Sequence, residues 1–265
     1  MIVHNFDPVL IDFGVFQIRW YSLAYVFGIL AGWWYGRNVI KKQIIDTKQK
    51  NYIENFDDLI GYIIIGVVVG GRLGYVFFYN PIFYFENLLE IFKLWKGGMS
   101  FHGGLLGVVL STYIFGKAKD LNYKVYFDTI ASVAPIGIFL GRIANFINGE
   151  LYGIPTEKSW GVIFPKVDNM PRHPSQIYEA LLEGVALFLI LNFAAGKKTF
   201  GHGSISLLFL ILYGIFRIVS EQFRQPDEHM GYIFGYLSMG STLSAIMIIV
   251  GTFFLSRLIY NEKNR

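Results

Sequence analysis

Seven long apolar runs constrain the fold of this chain more than any other feature of its sequence. They cover roughly residues 18–40, 57–79, 99–117, 125–147, 176–195, 203–223 and 232–257. Each has about the length of ~20 residues that an α-helix needs to cross a bilayer. Charged residues make up only 16% of the chain, too few to give seven such helices a water-facing side. The sequence therefore predicts an all-α, polytopic integral membrane protein with about seven transmembrane helices.

Lysine and arginine residues in the connections predict the orientation of these spans. Of the 23 such residues, 13 lie in connections or at run ends on the side of the C-terminal tail, 7 lie on the opposite side, and three lie deep inside the runs. Because cytoplasmic loops are enriched in lysine and arginine, we expect the N-terminus outside and the C-terminus in the cytoplasm. We expect a single transmembrane catalytic domain over residues 1–265, with an external loop substructure at about 148–175.

Composition and spacing exclude several classes of site. The chain has no cysteine, which excludes disulfides, thiolate metal sites and a cysteine nucleophile. Its first 16 residues contain Asp7 and Asp12 but no lysine or arginine, unlike a cleavable signal peptide. No basic face with interleaved aromatic residues predicts binding to nucleic acid. The histidines lack metal-ligand spacing, so we predict neither a metal nor another cofactor.

Three arginines, Arg72, Arg142 and Arg217, lie inside predicted spans. Each costs about 2.5–3.5 kcal/mol at the centre of a membrane helix on insertion scales. Arginine does not lose its proton in proteins, so acidic partners, water or an anionic ligand must offset this cost. Tyr213, Arg217 and Glu221 share one helix face at intervals of four residues. This spacing predicts a structural Arg217–Glu221 pair, an arginine aimed at a phosphate, or both.

The run GRIANFINGELYG, from Gly141 to Gly153, concentrates polar groups at the outer end of the fourth predicted span. Arg142, Asn145 and Asn148 recur every three residues, so one helix face carries a guanidinium group and two amides. A helix that only packs against its neighbours does not need so many polar groups. The pattern favours a functional site over a structural network.

Two further motifs begin spans on the same predicted side of the membrane. The motif HGGLLG starts at His102, where glycines allow helices or a ligand to approach closely. Taken alone, helix packing beside a hydrogen-bonded histidine explains it equally well. The motif RHPSQIYE covers residues 172–179 and has ordinary helix-capping chemistry. Gly66, Gly70 and Gly74 on the second span indicate helix packing and no chemistry.

Four other residues carry weaker signals. Tyr21 and Tyr25 lie near the outer end of the first span, where an aromatic belt is the ordinary explanation of any single tyrosine. Glu179 and Glu183 are four residues apart on the fifth span. Glu183 lies deeper in the span, where we expect it simply to pair with an arginine.

Together these motifs resemble the prolipoprotein diacylglyceryl transferase family. The run from Gly141 to Gly153 is similar to the family signature G-R-x-x-N-F-x-N-x-E-x-x-G at every specified position. The motifs HGGLLG and RHPSQIYE also match, whereas Ser241 stands where the family usually has glutamine. The remaining matches lie in and after the sixth span: Tyr213, Gly214, Arg217, Glu221, Arg224, Pro226 and Asp227.

The resemblance implies a reaction and a location. Enzymes of this family transfer the diacylglyceryl group of phosphatidylglycerol to the lipobox cysteine thiol in the signal peptide of a prolipoprotein. A thioether forms and glycerol phosphate leaves, which is the first step of bacterial lipoprotein maturation. The resemblance also implies a multi-pass protein of the bacterial plasma (inner) membrane, with its active site toward the outer leaflet.

The resemblance also assigns roles to the residues singled out above. Arg142 and Arg217 are expected to bind the lipid phosphate and stabilise the leaving group, and Asn145 to orient the glycerol or phosphate oxygens. His102 is the candidate base for the thiol. Further contacts to phosphatidylglycerol are expected from Tyr25 and Gly153. The supporting residues are Glu150 and Glu221, expected to position the arginines, together with Tyr213, His173 and Glu179.

Three alternatives stay open at this point. A transporter or flippase for an anionic solute would also use intramembrane arginines, but it predicts solute flux and no thiol acceptor. A different membrane lipid transferase would use another acceptor. A noncatalytic scaffold would bind phosphatidylglycerol without turnover. A diacylglyceryl mass added to a cysteine peptide separates the predicted reaction from all three.

Overall fold

The computed structural model describes residues 2–14, 16–44, 47–196, 201–225, 232–233 and 237–264. The chain is mostly helical. A π-helical segment, Ala180–Ala186, joins α6 to α7, and 3-10 turns cover Leu88–Phe92 and Leu94–Lys96. The α-helices are α1 (Trp20–Gln43), α2 (Gln49–Phe78), α3 (Pro81–Glu86), α4 (Phe101–Ala118), α5 (Tyr123–Asn148), α6 (Ser175–Glu179), α7 (Leu187–Ala195), α8 (Ser204–Glu221) and α9 (Met239–Lys263).

Short strands lie between these helices, so the all-α prediction holds for the spans but not for the connections. A three-stranded sheet has the order β1-β4-β5, with β1 parallel to β4 and β4 antiparallel to β5. Two antiparallel hairpins pair β2 with β3 and β6 with β7. The strands are β1 (Ile2–Val3), β2 (Val9–Asp12), β3 (Gln17–Arg19), β4 (Val162–Ile163), β5 (Pro171–Arg172), β6 (Tyr232–Ile233) and β7 (Leu237–Ser238).

Each of the seven predicted spans overlaps a helix of the structure. Among the described residues, five helices are long and apolar enough to cross a membrane, and they support a multi-pass membrane protein. Helices α1 and α4 overlap the other two predicted spans but are not among the five, so a total of seven stays a prediction. The five are Gln49–Phe78, Tyr123–Asn148, Ser175–Ala195, Ser204–Glu221 and Gly240–Lys263.

Two helix boundaries differ from the predicted ones for local reasons. Helix α2 begins at Gln49 rather than near residue 57, because its polar first turns still bury Tyr52 and Phe56. Helix α9 begins at Met239 rather than near residue 232, because Tyr232–Ile233 and Leu237–Ser238 pair as antiparallel strands before it. The Ser238 hydroxyl accepts a hydrogen bond from the Ser241 amide at 3.1 Å and caps the helix there.

The chain comprises two compact units, and the first contains residues 1–39 and 128–265. In this unit the Asp128 carboxylate on α5 accepts hydrogen bonds from the amides of Gly203 (2.6 Å) and Ser206 (2.8 Å). It therefore satisfies amide groups at the start of α8 that have no partner within their own helix. The buried core of this unit includes Ala131, Leu187, Leu191, Ala194, Ile205 and Tyr213.

The second unit contains residues 40–127 and is built on the packing of α2 against α4. A Cβ atom added to Gly70 would overlap the Gly103 carbonyl oxygen, and one added to Gly107 would overlap the Gly66 carbonyl oxygen. The two backbones approach closely because neither helix carries a side chain at these points. The packing interpretation of these glycines is confirmed, and it extends to Gly103 and Gly107 of the motif HGGLLG.

Candidate active site

Two arginines from different helices share two glutamates in the first unit. Arg142 lies near the end of α5, and its Nε is 2.9 Å from Glu179 Oε2 and its Nη2 is 3.1 Å from Glu183 Oε2. Arg217 lies on α8, and its Nη1 is 2.5 Å from Glu179 Oε1 and 3.5 Å from Glu183 Oε1. Each carboxylate therefore presents one oxygen to each guanidinium group.

Two more residues complete what we call the arginine–glutamate network: Arg142, Glu179, Glu183, Arg217, Glu221 and Arg224. Arg217 Nη2 lies 2.5 Å from Glu221 Oε2, which confirms the predicted pair on α8. Arg224 Nη1 lies 3.5 Å from Glu179 Oε1. The network contains three arginines and three glutamates, so its formal charges cancel when all six groups are ionised.

Burial makes this internal compensation necessary. The side chains of Glu179 and Glu183 are fully buried, whereas that of Arg142 is 17% exposed. Removing one partner from a buried ion pair leaves an uncompensated charge and costs about 3–5 kcal/mol. Of the three ways to offset buried arginines that the sequence left open, the structure provides acidic partners for both Arg142 and Arg217.

A second polar cluster continues along α5 from Arg142. The amide nitrogen of Asn145 donates to Glu150 Oε1 at 2.7 Å, and that of Asn148 donates to the same oxygen at 3.2 Å. Glu150 was expected to position an arginine. In the described part of the chain it binds these two amides instead. The two asparagines lie on one helix face, and the turn of the chain after α5 brings Glu150 beside that face.

The tyrosines of α1 connect to this amide cluster. The Tyr21 hydroxyl hydrogen-bonds the Asn145 side chain, and it lies 3.3 Å from the Tyr25 hydroxyl. The Tyr25 side chain is largely exposed. Among the described residues, Tyr25 therefore reaches the polar cluster only through Tyr21, a residue with no role predicted from the sequence.

Gly153 lies in the connection between α5 and α6, and there this connection packs closely against the segment after α8. The Gly153 amide donates to the His173 carbonyl oxygen at 2.9 Å, and Gly153 forms an antiparallel bridge with Arg224. A Cβ atom at Gly153 would overlap the carbonyl oxygens of His173 and Phe223. Glycine is required here because no side chain fits between these backbones.

His173 lies in an aromatic cluster next to this bridge. Its Nδ1 is 3.0 Å from the Tyr178 hydroxyl, which accepts a hydrogen bond from Trp160 Nε1 at 2.7 Å. The ring also packs edge-on against Phe223. Burial, and secondarily the charge of Lys158, lower the pKa of His173 below its usual value. This shift favours the neutral form of His173, which suits a residue that supports the connection.

Comparison with known proteins assigns the chain to a family. Residues 8–257 match the family described as prolipoprotein diacylglyceryl transferase. The chain belongs to this family. It is 51% identical over 254 residues to the phosphatidylglycerol–prolipoprotein diacylglyceryl transferase of Rickettsia canadensis (strain McKiel), covering 95% of this chain and 96% of that protein. It is 48% identical over 260 residues to the enzyme of that name from Rickettsia typhi (strain ATCC VR-144 / Wilmington), covering 97% and 99%.

Family membership confirms the resemblance, and the structure locates the residues that carried it. Tyr213 is buried on α8, one turn before Arg217, and stacks on Phe209. His102 lies in the second unit, in the first turn of α4, which Ser100 caps. Its role as a base stays a prediction. Pro226 and Asp227, which also match the family, lie outside the described residues.

Three residues of the site make more contacts than their sequence positions indicate. Glu183 was expected only to pair with an arginine, yet it contacts both Arg142 and Arg217. Its spacing of four residues from Glu179 was the available signal. Arg224 was noted as a family match and Tyr21 as a belt residue. Their contacts come from the fold, and no local pattern points to them.

Proposed function

We propose that this protein transfers the diacylglyceryl group of phosphatidylglycerol to the lipobox cysteine thiol of prolipoproteins, and that glycerol phosphate is released. The observation that carries this proposal is the family match over residues 8–257, which contains the entire arginine–glutamate network. The relatives named above carry this activity in their names. The biological role that corresponds to this activity is the first step of bacterial lipoprotein maturation.

The reaction exchanges one bond at a glyceryl carbon of the lipid. The cysteine sulfur attacks the carbon that bears the phosphate ester, a C–S bond forms, and the C–O bond to the phosphate breaks. The oxygen keeps the bonding electrons and leaves as glycerol phosphate, while the thiol loses its proton. A thiol with a pKa near 8.5 is mostly protonated at neutral pH, so a base assists the step. His102 is the proposed base.

The arginine–glutamate network suits stabilisation of this leaving group. Arg142 uses Nε and Nη2 for the glutamates, and its Nη1 makes no hydrogen bond to the described residues. Arg142 also has the most exposed of the three arginine side chains. A guanidinium N–H held in a fixed direction stabilises charge that develops on the phosphate oxygens. We therefore assign Arg142 the direct phosphate contact, with Arg217 beside it.

The remaining assignments follow the two polar clusters. Asn145 orients the glycerol or phosphate oxygens, with Glu150 fixing its amide, and Tyr25 contacts the headgroup. Gly153 keeps the loop close to the site. Glu179, Glu221, Tyr213 and His173 support the contacting residues. These assignments, like the single catalytic domain over residues 1–265, are proposals.

The proposed topology places the N-terminus outside, the C-terminus in the cytoplasm and the active site toward the outer leaflet of the bacterial plasma membrane. Strand pairing supports part of it. Ile2 pairs with Val162, so the N-terminus and the connection after α5 lie on one side of the membrane. An even number of crossings must separate them, which holds for both five and seven spans. The excess of lysine and arginine on the other side supports the orientation.

Reconstituted protein tests the activity directly. The purified protein is incorporated into vesicles that contain phosphatidylglycerol and is incubated with a lipobox peptide. We expect the peptide to gain the mass of one diacylglyceryl group, and we expect no product when serine replaces the peptide cysteine or when the vesicles lack phosphatidylglycerol. Binding of the lipid without this product would favour a scaffold. Flux of an anionic solute without it would favour a transporter.

Substitution of His102 tests the assigned base. We expect His102→Gln to lower the turnover number about 10²-fold or more, because general base catalysis contributes about 10²–10⁴-fold. His202→Gln is the matched control, since His202 lies two residues before α8 and 15 residues before Arg217 in the chain. Turnover of His102→Gln close to that of the wild-type protein would show that another group takes the thiol proton.

A further inference from the structure

We infer that Glu183 is a positioning residue of the reaction, which sets the direction of the Arg142 guanidinium group and holds Arg217 beside it. This inference rests on the proposed function. The observation that carries it is the position of one fully buried carboxylate between the two arginines. Glu183 Oε2 lies 3.1 Å from Arg142 Nη2, and its Oε1 lies 3.5 Å from Arg217 Nη1.

A third contact fixes the carboxylate itself. The Ser220 hydroxyl donates a hydrogen bond to Glu183 Oε1 at 3.1 Å. Ser220 is fully buried on α8, three residues after Arg217. The helix that carries Arg217 therefore also holds the carboxylate that links Arg217 to Arg142. Because both oxygens are bonded, rotation of the Glu183 carboxylate would break at least one contact.

The backbone around Glu183 is also unusual. Glu183 lies in the π-helical segment Ala180–Ala186, directly after Glu179 ends α6. Such wide turns within α-helices occur frequently at functional sites. A Cβ atom at Gly184 would clash with Phe139, three residues before Arg142 on α5. The π-helical segment thus lies directly against the part of α5 that carries Arg142.

Charge distinguishes positioning from direct lipid binding. Glu183→Gln keeps the size of the side chain and an oxygen that can accept from Ser220, but the formal charge of the network rises from zero to plus one. An extra positive charge does not weaken attraction of an anionic headgroup. The loss of a fixed guanidinium direction lowers the rate instead, since a misplacement of about 1 Å can cost 10²-fold.

The experiment compares turnover number and KM for phosphatidylglycerol in the vesicle assay. For Glu183→Gln we expect the turnover number to fall 10- to 100-fold, with a KM that is unchanged or lower. Glu183→Asp keeps the charge on a shorter side chain and should recover part of the lost turnover. Ser220→Ala removes the hydroxyl, and with it the hydrogen bonds to Glu183 and to the Arg217 carbonyl oxygen, and should lower turnover by a few-fold. This order of effects would support the positioning role.

Two matched controls isolate the network. Glu90→Gln makes the same chemical change at a carboxylate bonded to Lys93 and Lys96, and should leave both kinetic parameters unchanged. Asp128→Asn changes another buried carboxylate, which caps α8. It should lower the unfolding temperature without changing KM. If Glu183→Gln behaved like Asp128→Asn, Glu183 would be a structural residue and the inference would be wrong.

The remaining outcomes separate this inference from the proposed function. Absence of product from the wild-type protein would refute the proposed function itself. An active wild-type protein with a folded Glu183→Gln variant of unchanged turnover would refute only the positioning role. A raised KM with unchanged turnover would also refute it, since it would place Glu183 in lipid binding. Equilibrium binding of labelled phosphatidylglycerol, which does not depend on turnover, should be at least as tight in Glu183→Gln as in the wild-type protein.

Discussion

Arg72 and Arg142 are both arginines within long apolar helices, but the structure stabilises them in different ways. Arg72 donates to carbonyl oxygens of the segment 90–98, including those of Ile91 at 2.8 Å and Glu90 at 2.6 Å. Its Nη1 donates to the carbonyl oxygens of Gly97 and Gly98. Arg142 has carboxylate partners instead, from side chains on another helix.

The difference shows how a buried cation can be structural in one place and available for chemistry in another. Every guanidinium nitrogen of Arg72 is bonded to backbone, which leaves none for a ligand. Backbone carbonyls also cannot rotate away without moving the chain. Arg142 keeps one terminal nitrogen without a hydrogen bond to the described residues. We therefore expect substitution of Arg72 to lower stability and substitution of Arg142 to lower activity.

Loss of Arg142 should have the largest effect on catalysis. We expect Arg142→Ala to lower kcat/KM for phosphatidylglycerol about 10³-fold, because removal of one donor to a developing anion costs about 10²–10³-fold and the positive charge is lost as well. Arg142→Lys keeps the charge but cannot reach both glutamates, so its activity should lie between that of Arg142→Ala and that of the wild-type protein. The vesicle assay measures both variants. Activity of Arg142→Ala within a few-fold of wild type would remove Arg142 from the mechanism.

Loss of Arg72 should have the largest effect on stability. Arg72→Met keeps the length of the side chain but leaves several partly buried carbonyl oxygens without their donor. An unsatisfied buried acceptor costs about 1–3 kcal/mol, so we expect a loss of about 3 kcal/mol or more in the free energy of unfolding. Thermal unfolding in detergent measures this loss. The comparison between the two arginines fails if the kcat/KM of Arg72→Met, per folded molecule, falls as far as that of Arg142→Lys.

A glycine beside Arg72 tests its backbone partners without changing the arginine. Gly98 has a positive φ of 81°, and a Cβ atom there would clash with the Tyr75 ring and lie 3.0 Å from Arg72 Nη1. We expect Gly98→Ala to cost about 1–3 kcal/mol in stability and to leave turnover per folded molecule unchanged. Gly97→Ala is the control, since Gly97 also has a positive φ but open space around its Cβ position. Equal losses in both variants would mean that backbone strain alone explains the result.

The sequence predicted the helices and one ion pair of the site because these depend on local spacing. Apolar runs located the helices, and the interval of four residues predicted the contact of Arg217 with Glu221. The spacing of Asn145 and Asn148 correctly placed both amides on one face. The same spacing did not reveal that Glu150 accepts from both amides, because that contact depends on where the chain turns after α5.

The sequence did not separate Arg72 from Arg142, because their partners are distant in the chain. The carbonyl groups around Arg72 are 18 to 26 residues away, and every residue type offers such a group. Glu183 is 41 residues from Arg142, and its contact with Arg217 depends on how three helices pack. A glutamate four residues after Glu179 predicts a shared helix face, but it does not identify which cations meet that face.

Arg172 combines the two kinds of partner, and it should show the smallest effect. Its Nη2 lies 2.5 Å from Asp168 Oδ2, and its Nη1 donates to the Gly153 carbonyl oxygen at 3.1 Å. The Arg172 guanidinium lowers the pKa of Asp168 below its usual value, with a further contribution from the Met170 amide. The ionised form is favoured in the folded protein, so this stabilisation is present at neutral pH and is lost as the pH falls below about 4. We expect Asp168→Asn to lower the unfolding temperature slightly at pH 7, and the gap to wild type to close on acidification. A gap that stays constant down to pH 3 would show that the Asp168 charge does not hold Arg172, and that backbone carbonyls suffice there as they do for Arg72.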